Sequence, residues 1–329
     1  MKFIAGPMAT LSHQAFRKCI EKFGGCDEYF TEMINASSFL TNGPFEKYYI
    51  LNDFVPQKIV WQITCNKTEP IIKTAEILCQ KGGLGIDLNM GCSAPQIAKT
   101  GAGIAWMKKS PQQIKELICG VKEVLNNYEA KTKNHIRLSV KCRLGGEGFS
   151  ENSLLNFCDL LFTNGVELLT LHPRTQKEKD RILPRYEYVK LLKNNFPDKK
   201  IYLNGNIKDK SSLDFALNKA PHTDGIMISR AIAQKPWLFS ILNKENSNGI
   251  KEIDLQQLAI DFINDVKIYQ PQQYWKTRLQ RFFTYFCMNF QFAHYFQTQM
   301  LNSNSPEESC KKVIDYFDKQ KEERFLILP

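Results

Sequence analysis

Gly85-Ile86-Asp87-Leu88-Asn89-Met90-Gly91-Cys92-Ser93-Ala94-Pro95-Gln96, continuing to Gly101-Ala102-Gly103, is the stretch on which the fold turns. Leu84 to Leu88 is a short apolar run of the kind that forms a buried strand, and small and polar residues end it abruptly. Asn89 and Cys92 therefore stand just past a strand end. In parallel α/β proteins, loops converge there on a rigid sheet and ligands bind. A cysteine at such a place, ahead of a glycine-hinged segment able to act as a lid, is a candidate proton donor or nucleophile. By position alone it is equally a small apolar filler.

Outward from this stretch, the first 230 residues hold eight such runs: Phe3 to Gly6, Tyr29 to Glu32, Lys58 to Ile63, Leu84 to Leu88, Ile136 to Lys141, Glu167 to Leu171, Lys200 to Leu203 and Asp224 to Ile228. Segments with apolar residues at helical spacing lie between them, and Ser110-Pro111 reads as an N-cap followed by a first-turn proline. Eight strand-then-helix units predict a (β/α)8 TIM barrel, with an open doubly wound sheet as the weaker alternative.

In a barrel the carboxyl ends of the strands form one rim. Here they carry Pro7-Met8, Thr31-Glu32, Gln62, Asn89 with Cys92, Lys141 with Arg143, His172 with Arg174-Thr175, Asn204-Gly205-Asn206 and Ser229-Arg230. Each has a plain structural explanation; eight together on one rim point to a site. The last two follow the seventh and eighth runs, where barrels commonly hold a phosphate, and Arg230 adds charge. Lys141 and His172, on the fifth and sixth, suit an electron-rich ring across the mouth. Flavin mononucleotide (FMN) fits that arrangement.

The 329 residues exceed the ~250 of one barrel, leaving room for an appendage. A polar stretch, Asn243 to Gly249, sets the expected boundary: barrel 1–243, helical domain 244–329. From Val266 to Pro306 there is no acidic residue, while Lys276, Arg278 and Arg281 lie among many aromatics. Most of those rings are read as bundle core, and the basic edge as a nucleic-acid face. The net charge of +10 favours a polyanionic partner, although an AT-rich codon bias would raise lysine equally well. Ten scattered cysteines without a Cys-x-x-Cys pair, and no secretory signal, predict a reducing cytoplasm and no metal site. No run approaches the ~18 apolar residues of a membrane span.

At this point the residues carry a family resemblance. Ala5-Gly6-Pro7-Met8 with Phe16-Arg17, Thr31-Glu32-Met33, Gln62, Asn89-Met90-Gly91-Cys92 with Gly101-Ala102-Gly103, Val140-Lys141-Cys142-Arg143-Leu144-Gly145, His172-Pro173-Arg174-Thr175, Asn204-Gly205-Asn206 and Asp224 to Arg230 with Pro236-Trp237 stand in order over nearly the whole chain. The sequence resembles the tRNA-dihydrouridine synthases, flavoenzymes that reduce uridines of tRNA. The resemblance implies an FMN-binding barrel, a C-terminal helical domain that helps hold tRNA, and NADPH or NADH as electron donor. It implies FMN contacts from Pro7, Met8, Gln62, Lys141, His172, Asn204, Gly205, Asn206, Ser229 and Arg230. Cys92 would be the proton donor, and Asn89 and Arg174 would face the substrate base. A monomer is expected.

This chain departs from the family pattern where Ser93-Ala94 precede Pro95, and at Ser229, Asn206 and Cys65. None of these removes a group that the reduction needs. A free thiol, with a reference pKa of about 8.5, is mostly protonated at neutral pH and so able to act as an acid. Three rival readings stay open on sequence: an FMN barrel reducing a free pyrimidine, a Schiff-base aldolase using Lys141, and a tRNA-binding folding helper without turnover.

Overall fold

The computed structural model describes residues 1–146, 148–178, 182–243 and 249–328. Nine parallel strands form one sheet: β1 (Lys2–Ala5), β2 (Glu28–Phe30), β3 (Ile34–Asn35), β4 (Ile59–Thr64), β5 (Gly85–Met90), β6 (Arg137–Gly145), β7 (Leu168–Thr175), β8 (Lys200–Asn204) and β9 (Gly225–Ile228). Their order is β2-β1-β9-β8-β7-β6-β5-β4-β3, and a further pairing, Tyr29 with Ile59 and Phe30 with Val60, joins β2 to β4. That pairing closes an eight-stranded TIM barrel, with β3 a short extra strand beside β4. All eight sequence-predicted runs are barrel strands. The helix Pro111–Thr132 begins as expected, the Ser110 hydroxyl accepting from Gln113 N and the Gln113 side chain accepting in return from Ser110 N.

Every second residue of a barrel strand faces the interior. At the end where the strands begin, Glu28 is fully buried and accepts both Arg137 guanidinium nitrogens, at 3.0 and 2.7 Å. It also accepts from the Tyr202 hydroxyl at 2.8 Å and from Lys2 Nζ at 3.1 Å. Burial alone would raise the Glu28 carboxyl, but the Arg137 fork, Tyr202 and Lys2 together outweigh it and hold its pKa down to about 2. Ile4, Phe30, Val60, Leu168 and Met227 pack with the Tyr202 ring as an apolar layer. Gly225 makes room for that ring: a Cβ there would lie 2.7 Å from Tyr202 Cδ1 and 2.8 Å from Ile4 Cδ1.

By contacts the chain divides into two compact units. The barrel unit comprises Met1–Pro7, Asp27–Ile207 and Ser211–Ile228; the second comprises Met8–Cys26, Lys208–Lys210 and Ser229–Pro329. Residues 244–248, where the sequence sets the domain boundary, lie outside the described residues. Within the second unit the helix Gln14–Glu21 packs on the helix Leu255–Tyr269, fastened by Lys18 to Asp265 at 2.7 Å and Lys22 to Asp261 at 2.9 Å. The expected aromatic core is present: Phe262 stacks on Phe282 at 3.8 Å between centroids, and Phe283, Phe286, Phe290, Phe296, Tyr316 and Phe317 continue it edge to face. The region is not purely helical. A small antiparallel pair joins β10 (Glu252–Asp254) to β11 (Phe325–Ile327), held by a two-point contact from Arg324 to Asp254.

Two outcomes follow from the closed end of the barrel. A carboxyl whose pKa is depressed on folding stabilises fully above its unfolded value, near 4.5, and loses that contribution as pH falls toward 2. Glu28→Gln should therefore lower stability at pH 7 by about 3 kcal/mol, since it strands a buried arginine. In urea titrations the gap from the parent should narrow between pH 4.5 and pH 2. Gly225→Ala should cost about 1 to 3 kcal/mol by pushing against Tyr202 and Ile4, read as a lower thermal midpoint.

Candidate active site at the open end of the barrel

The opposite end of the interior is polar. On β5 the alternation that sends Ile86, Leu88 and Met90 toward the helices leaves Asp87 and Asn89 on the inner face. Asp87 is fully buried; its Oδ1 accepts from Ser139 Oγ at 2.7 Å and its Oδ2 from Gln62 Nε2 at 2.8 Å. Gln62 Oε1 accepts from Asn89 Nδ2 at 2.9 Å. Asn89 Oδ1 in turn accepts the backbone N–H of Cys92 at 3.0 Å and, more weakly, that of Gly91 at 3.4 Å. One chain of hydrogen bonds thus links β6, β5 and β4 to the cysteine.

The segment after Cys92 is fastened down. Cys92 O accepts from Ile104 N at 3.0 Å, and Gly103, at φ +58°, lies so close that a Cβ would sit 2.6 Å from that oxygen. Trp106 Nε1 donates to Cys65 O at 2.7 Å, Asn66 Nδ2 to Thr100 O at 2.8 Å, and Lys109 Nζ, over the Trp106 ring, donates to Asn66 O at 2.5 Å. Indole, amide and cation together pin residues 100–109 to the loop after β4. Ser93-Ala94 are absorbed without a break: Ala94 flanks a short helix, Pro95–Ala98, whose first residue is the proline. Cys92 itself is half-buried.

Lys141 pairs with Asn89 across the β5–β6 ladder. Burial, then the like charge of Arg143, pushes its ammonium down to about 8, with Asp87 partly opposing them. No described residue hydrogen-bonds or ion-pairs with that ammonium directly. A desolvated cation on a polar inner face is suited to an anionic or electron-rich group. His172 Nε2 accepts from Arg174 Nη1 at 3.2 Å, since an arginine can only donate, and the imidazole lies against Gly205. A Cβ at Gly205, which has φ +129°, would meet His172 at 2.9 Å. Asn206 follows at φ +58°, a left-handed conformation that asparagine tolerates, and Tyr186 holds Gly205 O at 2.8 Å. Asn204 Nδ2 donates across to Met227 O at 2.8 Å.

The barrel unit therefore gathers Gln62, Asn89, Cys92 and Lys141 in one cluster, and His172, Arg174 and Asn204 to Asn206 in another on β7 and β8. Pro7 ends a segment of this unit, whereas Met8, Ser229 and Arg230 belong by contacts to the second unit. Arg174 is 1% exposed, donates to Ile182 O at 2.6 Å and lies beside His172 Nε2. Arg278 is likewise not on a basic edge: it is 2% exposed, donates to Gln270 Oε1 at 3.2 Å and lies over Tyr274. Helical spacing turns it inward between Lys276 and Arg281. Lys276 is exposed, and Arg281 is half-buried over Tyr285.

Sequence reasoning missed Asp87, Ser139, Trp106 and Tyr186. For Asp87 a signal existed, because an acid inside an apolar strand, two residues before Asn89, shares its face. The other three are ordinary residues whose partners lie far along the chain. Among the described residues no cluster of metal ligands occurs, and no helix is long and apolar enough to cross a membrane.

With this geometry in hand, comparison with known proteins is informative. A family model described as "Dihydrouridine synthase (Dus)" matches residues 3–327. A probable tRNA-dihydrouridine synthase 2 of Bacillus subtilis is 27% identical over 325 residues, spanning 97% of this chain and 94% of that protein. A probable tRNA-dihydrouridine synthase of Staphylococcus aureus is 28% identical over 329 residues, covering 98% and 94%. Among solved structures, a mutant morphinone reductase in complex with tetrahydroNAD superposes with TM-score 0.51 at 10% identity, over 74% of this chain and 87% of that one. That likeness is one of fold. The match over residues 3–327 is one of family: the chain belongs to the dihydrouridine synthases, oxidoreductases by the nature of their product, which is uridine with two hydrogens added.

Proposed function

We propose that this protein reduces specific uridines of tRNA to dihydrouridine at the open end of its barrel, with FMN as cofactor, NADPH or NADH as electron donor and Cys92 as acid. The observation that carries the reading is the Asn89 side chain, which joins the Cys92 backbone on one side to Gln62 on the other. The residue expected to protonate the base is thereby tied to a residue expected beside the flavin. The site also fits an FMN: Lys141, on the inner face beside Asn89, offers a cation that no described residue pairs with directly. Gln62, Lys141, His172 and Asn204 to Asn206 would hold it. The family resemblance adds Pro7, Met8, Ser229 and Arg230, which follow β1 and β9 directly in the chain.

What the cofactor supplies when bound is a hydride for C6 of uracil. The remaining steps belong to the protein. Lys141 and Asn89 oppose the negative charge that builds on the C4 carbonyl as C6 accepts hydride. The Cys92 thiol gives its proton to C5, which completes the addition of two hydrogens, and solvent restores the thiol. The fastened segment 100–109 holds the backbone of that cysteine through Ile104 N. A uridine inside folded tRNA must leave its stack to reach the site, at a cost of a few kcal/mol that backbone contacts offset. Lys276 and Arg281, with a net charge of +10 behind them, are the contacts we assign to that task. The aldolase and folding-helper readings fall with membership of an oxidoreductase family. The free-pyrimidine reading loses ground because the relatives named for tRNA match along this chain's whole length.

Cys92→Ala should keep its flavin and accept electrons from NADPH, yet reduce tRNA uridine on the order of 10² to 10⁴ times more slowly in a single turnover. An unchanged rate would remove Cys92 from the acid role. Replacing Lys276 and Arg281 together by glutamine should flatten the salt dependence of tRNA binding by roughly 0.7 to 0.9 log units per lost contact. Flavin content should not change. Arg278→Gln, in contrast, should lower the thermal midpoint of the helical unit, because that side chain is interior.

A further inference from the structure

The hydrogen bonds from Ser139 on one side and from Cys92 on the other both donate toward Asp87. An ionised carboxylate accepts and never donates, and Asp87 is engaged at both oxygens, by Ser139 Oγ and Gln62 Nε2. Gln62 must then turn its carbonyl to Asn89, and Asn89 its own carbonyl to the loop. At the far end the backbone N–H of Cys92 can only donate. Between these fixed ends neither amide is free to flip. Turning Gln62 over would set its carbonyl against the carboxylate, and turning Asn89 over would set an NH2 against the Cys92 N–H. Two side chains usually ambiguous in orientation are here determined by what lies at each end of the chain.

We propose that Asp87 is a positioning residue for Cys92: its carboxylate sets the sense of the chain through Gln62 and Asn89, and so fixes the backbone of the cysteine loop. It touches no substrate. Burial raises its pKa to about 6, with Ser139, Gln62 and, more weakly, the Lys141 and Arg137 cations on β6 holding it down. At pH 7 the group is ionised and only accepts. As pH falls through 6 it gains a proton, which Oδ1 can give to the Ser139 hydroxyl while Oδ2 goes on accepting from Gln62, so the sense of the chain toward Cys92 is kept. The importance of Cys92 rests on the function proposed above, whereas the state of the chain does not.

The test is hydrogen–deuterium exchange over residues 91–94, set beside single-turnover kinetics. Asp87→Ala should speed exchange of the Cys92 amide about tenfold or more while β1 and β9 exchange as before. Uridine reduction by the pre-reduced enzyme should slow about tenfold or more, with reduction of the flavin by NADPH unchanged. Asp87→Asn should restore both, because its carbonyl can accept from Gln62 and its NH2 can donate to the Ser139 hydroxyl. In the parent, protection of residues 91–94, corrected for intrinsic exchange, should hold between pH 7 and pH 5, as it should in Asp87→Asn. The proposal is overturned if Asp87→Ala leaves exchange unchanged, if exchange rises equally throughout the barrel, or if Asp87→Asn exchanges as fast as Asp87→Ala. Should Asp87→Ala fail to fold, Asp87→Leu, which fills the space and accepts nothing, takes its place with the same expectations. An enzyme inactive on tRNA would refute the proposed function, yet leave the exchange result to judge Asp87.

Discussion

A closed barrel turns every second side chain of its strands into a space with little water, so any polar group placed there must find its partner inside. This chain meets that constraint in two ways at the two ends. Where the strands begin, Glu28 is saturated by Arg137, Tyr202 and Lys2, and nothing remains for a ligand. Where they end, Asp87, Gln62 and Asn89 are satisfied in series and lead to the backbone of Cys92, while Lys141 has no direct partner among the described residues. The apolar layer of Ile4, Phe30, Val60, Leu168 and Met227 lies with the Tyr202 ring inside the same barrel. The rigid closed end and the chemically unfinished open end are products of one alternation.

The pKa shifts express the same division. Glu28 is driven down by a matched cation, and its charge is structural. Asp87 and Lys141 are driven toward neutrality by burial, one up to about 6 and the other down to about 8. Groups poised on either side of neutral pH, on neighbouring strands, are what proton and charge management at a reacting ring demands.

The strands were legible in the sequence because each is a short apolar run bounded by breakers, and Leu84 to Leu88 is typical. Closure was not, because it rests on two residue pairs between β2 and β4 that no local pattern records. Asn89 and Cys92 stood out by position. Asp87 did not, although it lies two residues away, because its role depends on Ser139 and Gln62, more than twenty residues distant on either side. Arg278 shows the opposite error. A run without acids reads as a basic face, yet helical geometry buries one of its four cations, Arg278, and leaves Lys276 exposed. Charge composition indicates a partner; it does not choose the residue.

The family fixes the class of reaction, and the site indicates how this chain would carry it out. The claim that matters most is that the substrate is a uridine held in tRNA and not a free pyrimidine. It is tested by incubating the flavin-loaded protein and NADPH with tRNA lacking dihydrouridine, and separately with uridine, uracil and orotate, then measuring the products by mass spectrometry. The account requires two hydrogens gained at particular uridines of the tRNA and no reduction of the free bases. Reduction of a free pyrimidine with the tRNA untouched would contradict it.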